Sequence, residues 1–448
     1  MERDVPPGDT AGRSALPTRR GYYVYVTEAC NLRCSYCFVK EKHNGRHLTR
    51  EMAGNVFRFI TGEAASLTDL YVHFFGGEPL LQPAMVDYLA SELRAWCKDR
   101  PIKLRLGITT NGTLLTPSNC EMLTRHGVGV QLSLDGSQRG NDVHRQVMGG
   151  TQCGLPFAGA FERVRIADYF VHFGKQRPNC RMTLTVENLP YLSQSIRELH
   201  ELGFRSFSII PDADCGAWTP DCLSRYEAEV GKVFEYWAQH REIGVNLIDQ
   251  TIRKLTVRSV RGHLCRASST VLGITIDGDI YPCHDFAGRF AADPVERERL
   301  LMGNVETGYL PNPREFEDLT VGPDVKSGNG YDCNACWAKW VCARGCPYMN
   351  YAHSGEIRRV NATYCATSRI NTSLALRWMS ILDDYRFFDV KAERARPGRR
   401  LRSPSSRDGS PVSGPLDWEG GKPRMPAPIH ARASAPGIVG NVMKGEGL

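Results

Sequence analysis

Short apolar runs with strand character alternate with amphipathic stretches over the first half of the chain. Residues 22–26 (Tyr-Tyr-Val-Tyr-Val) form the first β-rich run, and 70–75, 103–109, 128–134, 181–186 and 206–210 read as further strands. Between them, 85–97, 117–126, 157–169 and 192–202 carry helical spacing, and 222–240 follows the sixth strand. Six strands separated by helices predict parallel βαβ units with right-handed crossovers. A doubly wound sheet and a (β/α) barrel both satisfy this pattern, and both gather ligands at the carboxyl ends of their strands.

The flanks differ. Residues 1–20 are polar and aperiodic, and are expected to be unstructured ahead of a first domain over 21–242. A basic linker over 243–264, with Lys254, Arg258 and Arg261, is expected to lead into a cysteine-dense region over 265–370 and one helix within 371–390. The last 58 residues hold 8 Pro and 9 Gly. That composition cannot bury enough apolar area to offset chain entropy, so 391–448 is expected to be a disordered basic tail. No solenoid-type repeat is visible.

Composition narrows the function classes. The chain has 448 residues, 42% of them apolar, which suits two or three globular domains. No apolar run approaches the roughly 18–20 residues of a membrane span. The first 20 residues lack a hydrophobic export signal, so a cytoplasmic protein without membrane contact is expected. The net charge is +7, but 391–448 holds 11 Lys/Arg against 5 Asp/Glu and so carries +6 of it. The nearly neutral remainder has no field to steer it to nucleic acid. Sixteen cysteines are the unusual figure. Where thiols stay reduced, metal or iron–sulfur ligation explains them better than disulfides.

Directly after the first strand stand Cys30, Cys34 and Cys37, a CxxxCxxC loop with Tyr36 before its last thiol. Iron–sulfur clusters usually take four thiolates, so three would leave one iron open to a small molecule; a structural zinc site is the plainer alternative. The segment resembles the radical S-adenosylmethionine (SAM) enzymes. That resemblance implies a partial (β/α)6 barrel, a [4Fe–4S] cluster on the three cysteines, and SAM chelated at the open iron. One electron would cleave SAM to methionine and a 5′-deoxyadenosyl radical, which abstracts a substrate hydrogen. Further family-like elements follow in order. Gly76-Gly77-Glu78-Pro79 ends the second strand, Thr109-Thr110-Asn111-Gly112 the third, and Ser133-Leu134-Asp135-Gly136 the fourth. The resemblance implies cofactor contacts from Tyr36, Gly76, Gly77, Glu78, Thr110, Asn111, Ser133 and Asp135. It adds Arg145, beside His144, as a cation for the SAM carboxylate, and Thr185 and Asn188 near the fifth strand. Physically, glycines allow close backbone approach, and a carboxylate can accept from an ammonium.

Seven later thiols, Cys265, Cys283, Cys333, Cys336, Cys342, Cys346 and Cys365, exceed what one tetrahedral site uses. A pair of zinc knuckles is the plain alternative. Their spacing resembles the SPASM extension of radical SAM peptide-modifying enzymes, which carries two auxiliary [4Fe–4S] clusters. The resemblance implies Cys333, Cys336, Cys342 and Cys365 on one cluster, and Cys265, Cys283 and Cys346 on the other. The extra cysteine that many relatives carry between the first two is missing here, since 266–282 contains none. The second set therefore has an open iron or a non-cysteine ligand, with His284 a candidate ligand or hydrogen-bond partner. Asp285 is a candidate general base, displaced by one position from the aspartate of sulfatase maturases. The remaining thiols, Cys97, Cys120, Cys153, Cys180, Cys215 and Cys222, show no ligand spacing and read as small buried hydrophobes.

Tyr281-Pro282-Cys283-His284 and Met302-Gly303-Asn304-Val305 look like maturases of ribosomally made peptides. The function so implied is hydrogen abstraction from a precursor peptide, ending in a thioether or carbon–carbon crosslink or another oxidative change. A one-electron reductant of flavodoxin or ferredoxin type is implied as a partner. Twenty residues before the first strand are too few for a leader-recognition domain, so a separate leader-binding protein is expected. The alternatives are formylglycine formation of the anaerobic sulfatase-maturase type, and a non-catalytic zinc or iron–sulfur module.

Overall fold

The computed structural model describes residues 18–39, 45–147, 159–174, 179–212, 218–256, 265, 267–268, 270–311, 326–327, 330 and 332–382. Its first strand, β1 (Arg19–Thr27), is buried on both faces from Tyr22 onward except at Tyr23, as a central parallel strand requires. The chain then runs α1 (Arg50–Glu63), β2 (Asp69–Gly76), α2 (Pro83–Cys97), β3 (Lys103–Thr110), α3 (Pro117–Arg125) and β4 (Val128–Ser133). A short α4 (Gln138–Asn141) and α5 (Ile166–Phe173) precede β5 (Asn179–Leu184), α6 (Leu192–Glu201), β6 (Ser206–Pro211), α7 (Pro220–Gln239), β7 (Gly244–Val245) and α8 (Asn246–Thr256). Strands β1 to β7 lie side by side in chain order and pair in parallel throughout. Threonine side chains cap the helices that start cleanly: Thr49 accepts from Met52 N, Thr116 from Asn119 N and Thr219 from Cys222 N.

The cysteine-dense region extends the same sheet. Strand β8 (Val271–Ile274) pairs in parallel with β1, Tyr22 opposite Leu272, on the edge that β2 leaves free. Strands β9 (Asp279–Tyr281), β10 (Gly303–Asn304) and β11 (Gly308–Tyr309) add antiparallel beyond it. Helices α9 (His284–Phe290) and α10 (Pro294–Leu300) lie between β9 and β10; α11 (Pro347–Ser354) and α12 (Ala362–Leu382) end the described chain.

Alternation along the strands decides what the sheet encloses. In β5, Cys180, Met182 and Leu184 are buried toward the helices, while Arg181 and Thr183 face inward. In β4, Leu132 is buried outward while Gln131 and Ser133 face inward. At β4 and β5 the inner face is therefore polar, and much of the apolar mass sits between sheet and helices. Phe204, Phe207, Tyr226, Phe234 and Trp237 are all fully buried there. Each such ring contributes about 1.5–3 kcal/mol by leaving water.

Four expectations meet a different outcome. Strand β1 begins at Arg19, inside the segment expected to be unstructured. The expected linker holds β7 and α8, a strand only two residues long and a helix whose apolar face (Leu247, Ile248, Thr251, Ile252) is buried. In place of one helix over 157–169, a 3-10 turn, Phe161–Arg163, precedes α5. The last helix starts nine residues early, at Ala362, so that Cys365 lies in its first turn. The basic tail, Arg258, Arg261, Cys153 and Cys215 lie outside the described residues. No described helix is long and apolar enough to cross a membrane.

Candidate functional site

Cys30, Cys34 and Cys37 project from the loop after β1 into a cavity of about 590 Å³ at the carboxyl ends of the strands. All three are half-buried thiols outside any disulfide. The loop is held from three sides. Gly77 N donates to Thr27 O (2.9 Å) and Glu78 N to Ala29 O (2.8 Å). Arg33 N donates to Gln146 O (2.8 Å), and Ser35 Oγ meets His144 Nδ1 (2.6 Å). Asn111 Nδ2 donates to Asn31 Oδ1 (2.8 Å) and lies 3.9 Å from Cys30 Sγ, which also accepts from Leu32 N (3.4 Å).

The two glycines after β2 have a reason in this geometry. A Cβ on Gly77 would lie 2.1 Å from Ala29 O, and one on Gly76, at φ +130°, 2.0 Å from Thr27 O. They admit the backbone of the cysteine loop as well as lining the cavity.

Glu78 is fully buried and turned toward β3. Its carboxylate accepts from Leu80 N (3.0 Å), Thr110 Oγ1 (2.8 Å) and Asn111 N (2.8 Å). Burial pushes its pKa up from 4.5 to about 7, against the pull of those donors. Thr110, Asn111 and Ser133 line the cavity. Asp135 accepts two hydrogen bonds from Arg145, a third from the Tyr36 hydroxyl and a fourth from Thr183 N (2.8 Å). Tyr36 and Arg145 line the cavity, but the Arg145 charge is already matched by Asp135. Thr185 is buried behind the wall; its Oγ1 meets His144 Nε2 (2.7 Å), and Asn188 Oδ1 accepts from Thr185 N. The chain Thr185–His144–Ser35 thus braces the cysteine loop from outside the cavity.

The later cysteines form two groups. Burial raises the pKa of Cys333, with smaller contributions from Cys365, Cys342 and Cys336, and burial raises that of Cys342, with smaller ones from Cys365 and Cys336. Burial pushes the Cys283 pKa well up, with Asp285, Cys346 and Cys265 adding to it, and burial with Asp285 and Cys265 pushes Cys346 up to about 12. Cys342 and Cys346 open onto the same cavity as Cys30, Cys34 and Cys37. So do His284 and Asp285, in the first turn of α9 directly after Cys283. The Cys283 thiol lies 3.8 Å from Asp285 Oδ2, and His284 Nε2 lies 3.5 Å from Asp285 Oδ1. His284 stacks on Tyr23 (centroids 4.2 Å, 12°) and meets Phe75 edge-on (4.8 Å); burial lowers its pKa. Cys97, Cys120, Cys180 and Cys222 are buried.

Several cavity residues carry no motif. Arg181 is half-buried in the wall, where the charges of Asp285 and Asp135 act on it. Lys254, which by sequence pattern belongs to the linker, faces the cavity from α8 beside Cys342. Beside the cavity, a hydrogen-bond relay crosses the inner face of the sheet: Tyr71 hydroxyl, His73 Nδ1, then His73 Nε2 to Thr109 Oγ1 (2.7 Å) and on to Gln131 Oε1 (3.1 Å). The signal for all three was polar residues at inward positions of otherwise apolar strands and helices.

Comparison with known proteins places this geometry. Residues 24–170 match the Radical SAM superfamily. The chain is 29% identical over 348 residues to the serine-type anaerobic sulfatase-maturating enzyme of Klebsiella aerogenes, covering 74% of this chain and 80% of that one. It is 30% identical over 283 residues to the radical SAM cyclopropyl synthase TigE of Paramaledivibacter caminithermalis, spanning 59% of this chain but only 57% of that protein's length. In fold it resembles the solved structure of native anSMEcpe with bound AdoMet and Cp18Cys peptide: TM-score 0.64 at 19% identity, over 81% of this chain and 99% of that one. Residues 24–170 are thus a radical SAM domain, in a chain homologous to anaerobic sulfatase-maturating enzymes and to a radical SAM cyclopropyl synthase.

Proposed function

We propose that this chain is a peptide maturase that abstracts a hydrogen from a precursor peptide and installs a crosslink. The observation that carries the reading is one cavity onto which Cys30, Cys34, Cys37, Cys342, Cys346, His284 and Asp285 all open. A peptide side chain in that cavity lies between the early thiols and the later ones.

The residues present fit iron–sulfur groups. Cys30, Cys34 and Cys37 share one loop and open with Cys342 and Cys346 onto one cavity, and thiolates are the donors that such groups take. Cys30, Cys34 and Cys37 would hold the SAM-binding cluster. Cys333, Cys336, Cys342 and Cys365 would hold one auxiliary cluster, and Cys265, Cys283 and Cys346 the other, with Asp285 or His284 beside its open position. Such clusters supply one-electron chemistry, reductive cleavage of SAM to a hydrogen-abstracting radical and acceptance of a surplus electron.

The chain's own groups do the rest. Tyr23, Phe38, Phe75 and His284 make an aromatic wall that keeps water from the substrate. Tyr36, Asp135 and Arg145 hold the rim beside the cysteine loop. Forming a crosslink removes two hydrogens. One leaves as an atom; the other leaves as a proton, and the Asp285 carboxylate is the base placed to take it.

Co-expression with candidate precursor peptides without oxygen, then fragment mass analysis, tests the reading. A mass loss of two hydrogens with no reactivity toward carbonyl reagents supports it. The similarity to the Klebsiella aerogenes maturase favours a second reading, oxidation of Cys or Ser to formylglycine, for which the product would react with those reagents. In either case the triple variant Cys30→Ala, Cys34→Ala, Cys37→Ala makes no 5′-deoxyadenosine; if it still does, both readings fail.

A further inference from the structure

A second cluster of ligating side chains lies at the other end of the sheet. His200 is in the last turn of α6, whose connection enters the amino end of β6. His240 and Glu242 follow α7, in the connection to the amino end of β7. The cavity is at the carboxyl ends, where Ile209, Ile210 and Pro211 line it. His200, His240 and Glu242 therefore take no part in the chemistry proposed above.

Their geometry is that of a half-built coordination shell. His200 Nε2 lies 3.3 Å from Glu242 Oε1, and His240 Nδ1 lies 3.2 Å from the same oxygen. All three ligand atoms fall within 4.8 Å of one another. Atoms bound to a tetrahedral zinc ion at about 2.0–2.1 Å stand about 3.3 Å apart. The other nitrogen of His200, Nδ1, meets the Tyr236 hydroxyl at 2.7 Å. With Nδ1–H donating there, Nε2 keeps its lone pair for a cation; ligating histidines are held by such a partner. His200 is 9% exposed, while Glu242 faces solvent, so an ion has an entry path.

We propose that His200, His240 and Glu242 form a structural site for a zinc-like divalent transition metal. It ties the ends of α6 and α7 together and leaves a fourth position to water. The alternative is a metal-free relay of His–Glu–His hydrogen bonds, which the same distances allow.

The test uses the full chain, reconstituted anaerobically, stripped with a chelator that leaves its iron count unchanged, and titrated with Zn²⁺. The wild type should bind one zinc per chain more than His240→Ala, with no iron displaced. Affinity should fall by at least about 100-fold in His240→Ala and by about 10–100-fold in Tyr236→Phe, which removes only the partner of His200. Glu242→Gln keeps a hydrogen-bonding oxygen at an exposed position but should also lose the zinc. Zinc should raise the Tm of the wild type and leave that of Glu242→Gln unchanged. Equal zinc content and equal Tm responses in wild type and Glu242→Gln would overturn the site in favour of the relay.

Discussion

Arg145 meets Asp135 through two parallel hydrogen bonds, Nε to Oδ2 at 2.9 Å and Nη2 to Oδ1 at 3.0 Å. Their side chains are 8% and 0% exposed. Charges buried this deeply are costly apart and tolerable together. The pair joins the cysteine loop, through Tyr36, to the end of β4 and, through Thr183, to β5. We predict that Asp135→Asn, which strands the guanidinium, destabilises the protein by about 3–5 kcal/mol. Adding Arg145→Met should restore part of the loss, because a buried pair replaced by neutral groups is often near neutral. Thermal unfolding of the wild type and the two variants checks both statements; a double variant no better than the single would refute the coupling.

A methyl group on Gly77 is predicted to disorganise the cysteine loop. Its Cβ would meet Ala29 O at 2.1 Å and Glu28 O at 2.6 Å, and both are backbone atoms that no rotamer change can move aside. Gly77→Ala should therefore lower the iron bound per chain after reconstitution and suppress SAM cleavage. Gly62→Ala, where a Cβ meets nothing within 4 Å, is the control and should match the wild type. Iron assay with 5′-deoxyadenosine analysis decides it.

The strands and the order of the motifs are legible because alternating burial writes itself as apolar spacing. Residues of β5 such as Cys180, Met182 and Leu184 carry that spacing openly. The two groupings of later cysteines rest on the resemblance to the SPASM extension, and spacing alone does not divide seven thiols into sets. Local pattern does not say where a motif side chain turns. Glu78 faces β3, Thr185 lies behind the cavity wall, and Arg145 is matched by Asp135, because each answers a partner supplied by another element or loop. Nor does it foresee that β8 pairs with β1, since pairing across some 250 residues of chain leaves no local mark. Lys254 reads as linker for the same reason: β7, the strand that positions its helix, is two residues long.

Glu78 should make stability depend on pH. Its pKa is about 7 in the folded protein against an ordinary 4.5. A raised acid contributes no penalty below pH 4.5, where both states are protonated. As pH rises from 4.5 through 7, the unfolded chain releases its proton first. Stability then falls by a few kcal/mol in all, at about 1.4 kcal/mol per pH unit across that window. Glu78→Gln should remove this slope, so the difference between the two Tm profiles grows across the window and levels off above it. A constant difference from pH 4.5 to 8 would mean that the carboxyl group is ionised normally.

Asp285 offers the sharpest separation of chemistry from binding. It faces the cavity beside Cys283 and His284, while Cys30, Cys34 and Cys37 lie in the loop after β1. If its carboxylate takes the proton that leaves the peptide, Asp285→Asn should still cleave SAM but fail to finish the product. Loss of a positioned base typically costs about 10²–10⁴-fold in rate. We predict a fall of that order in modified peptide, with 5′-deoxyadenosine formation kept within about threefold of the wild type, on the same reasoning that the base acts after cleavage. Deuterium placed on the attacked carbon should still appear in 5′-deoxyadenosine. Should both products fall together, Asp285 serves the integrity of the site around Cys283, and the proton leaves by another route.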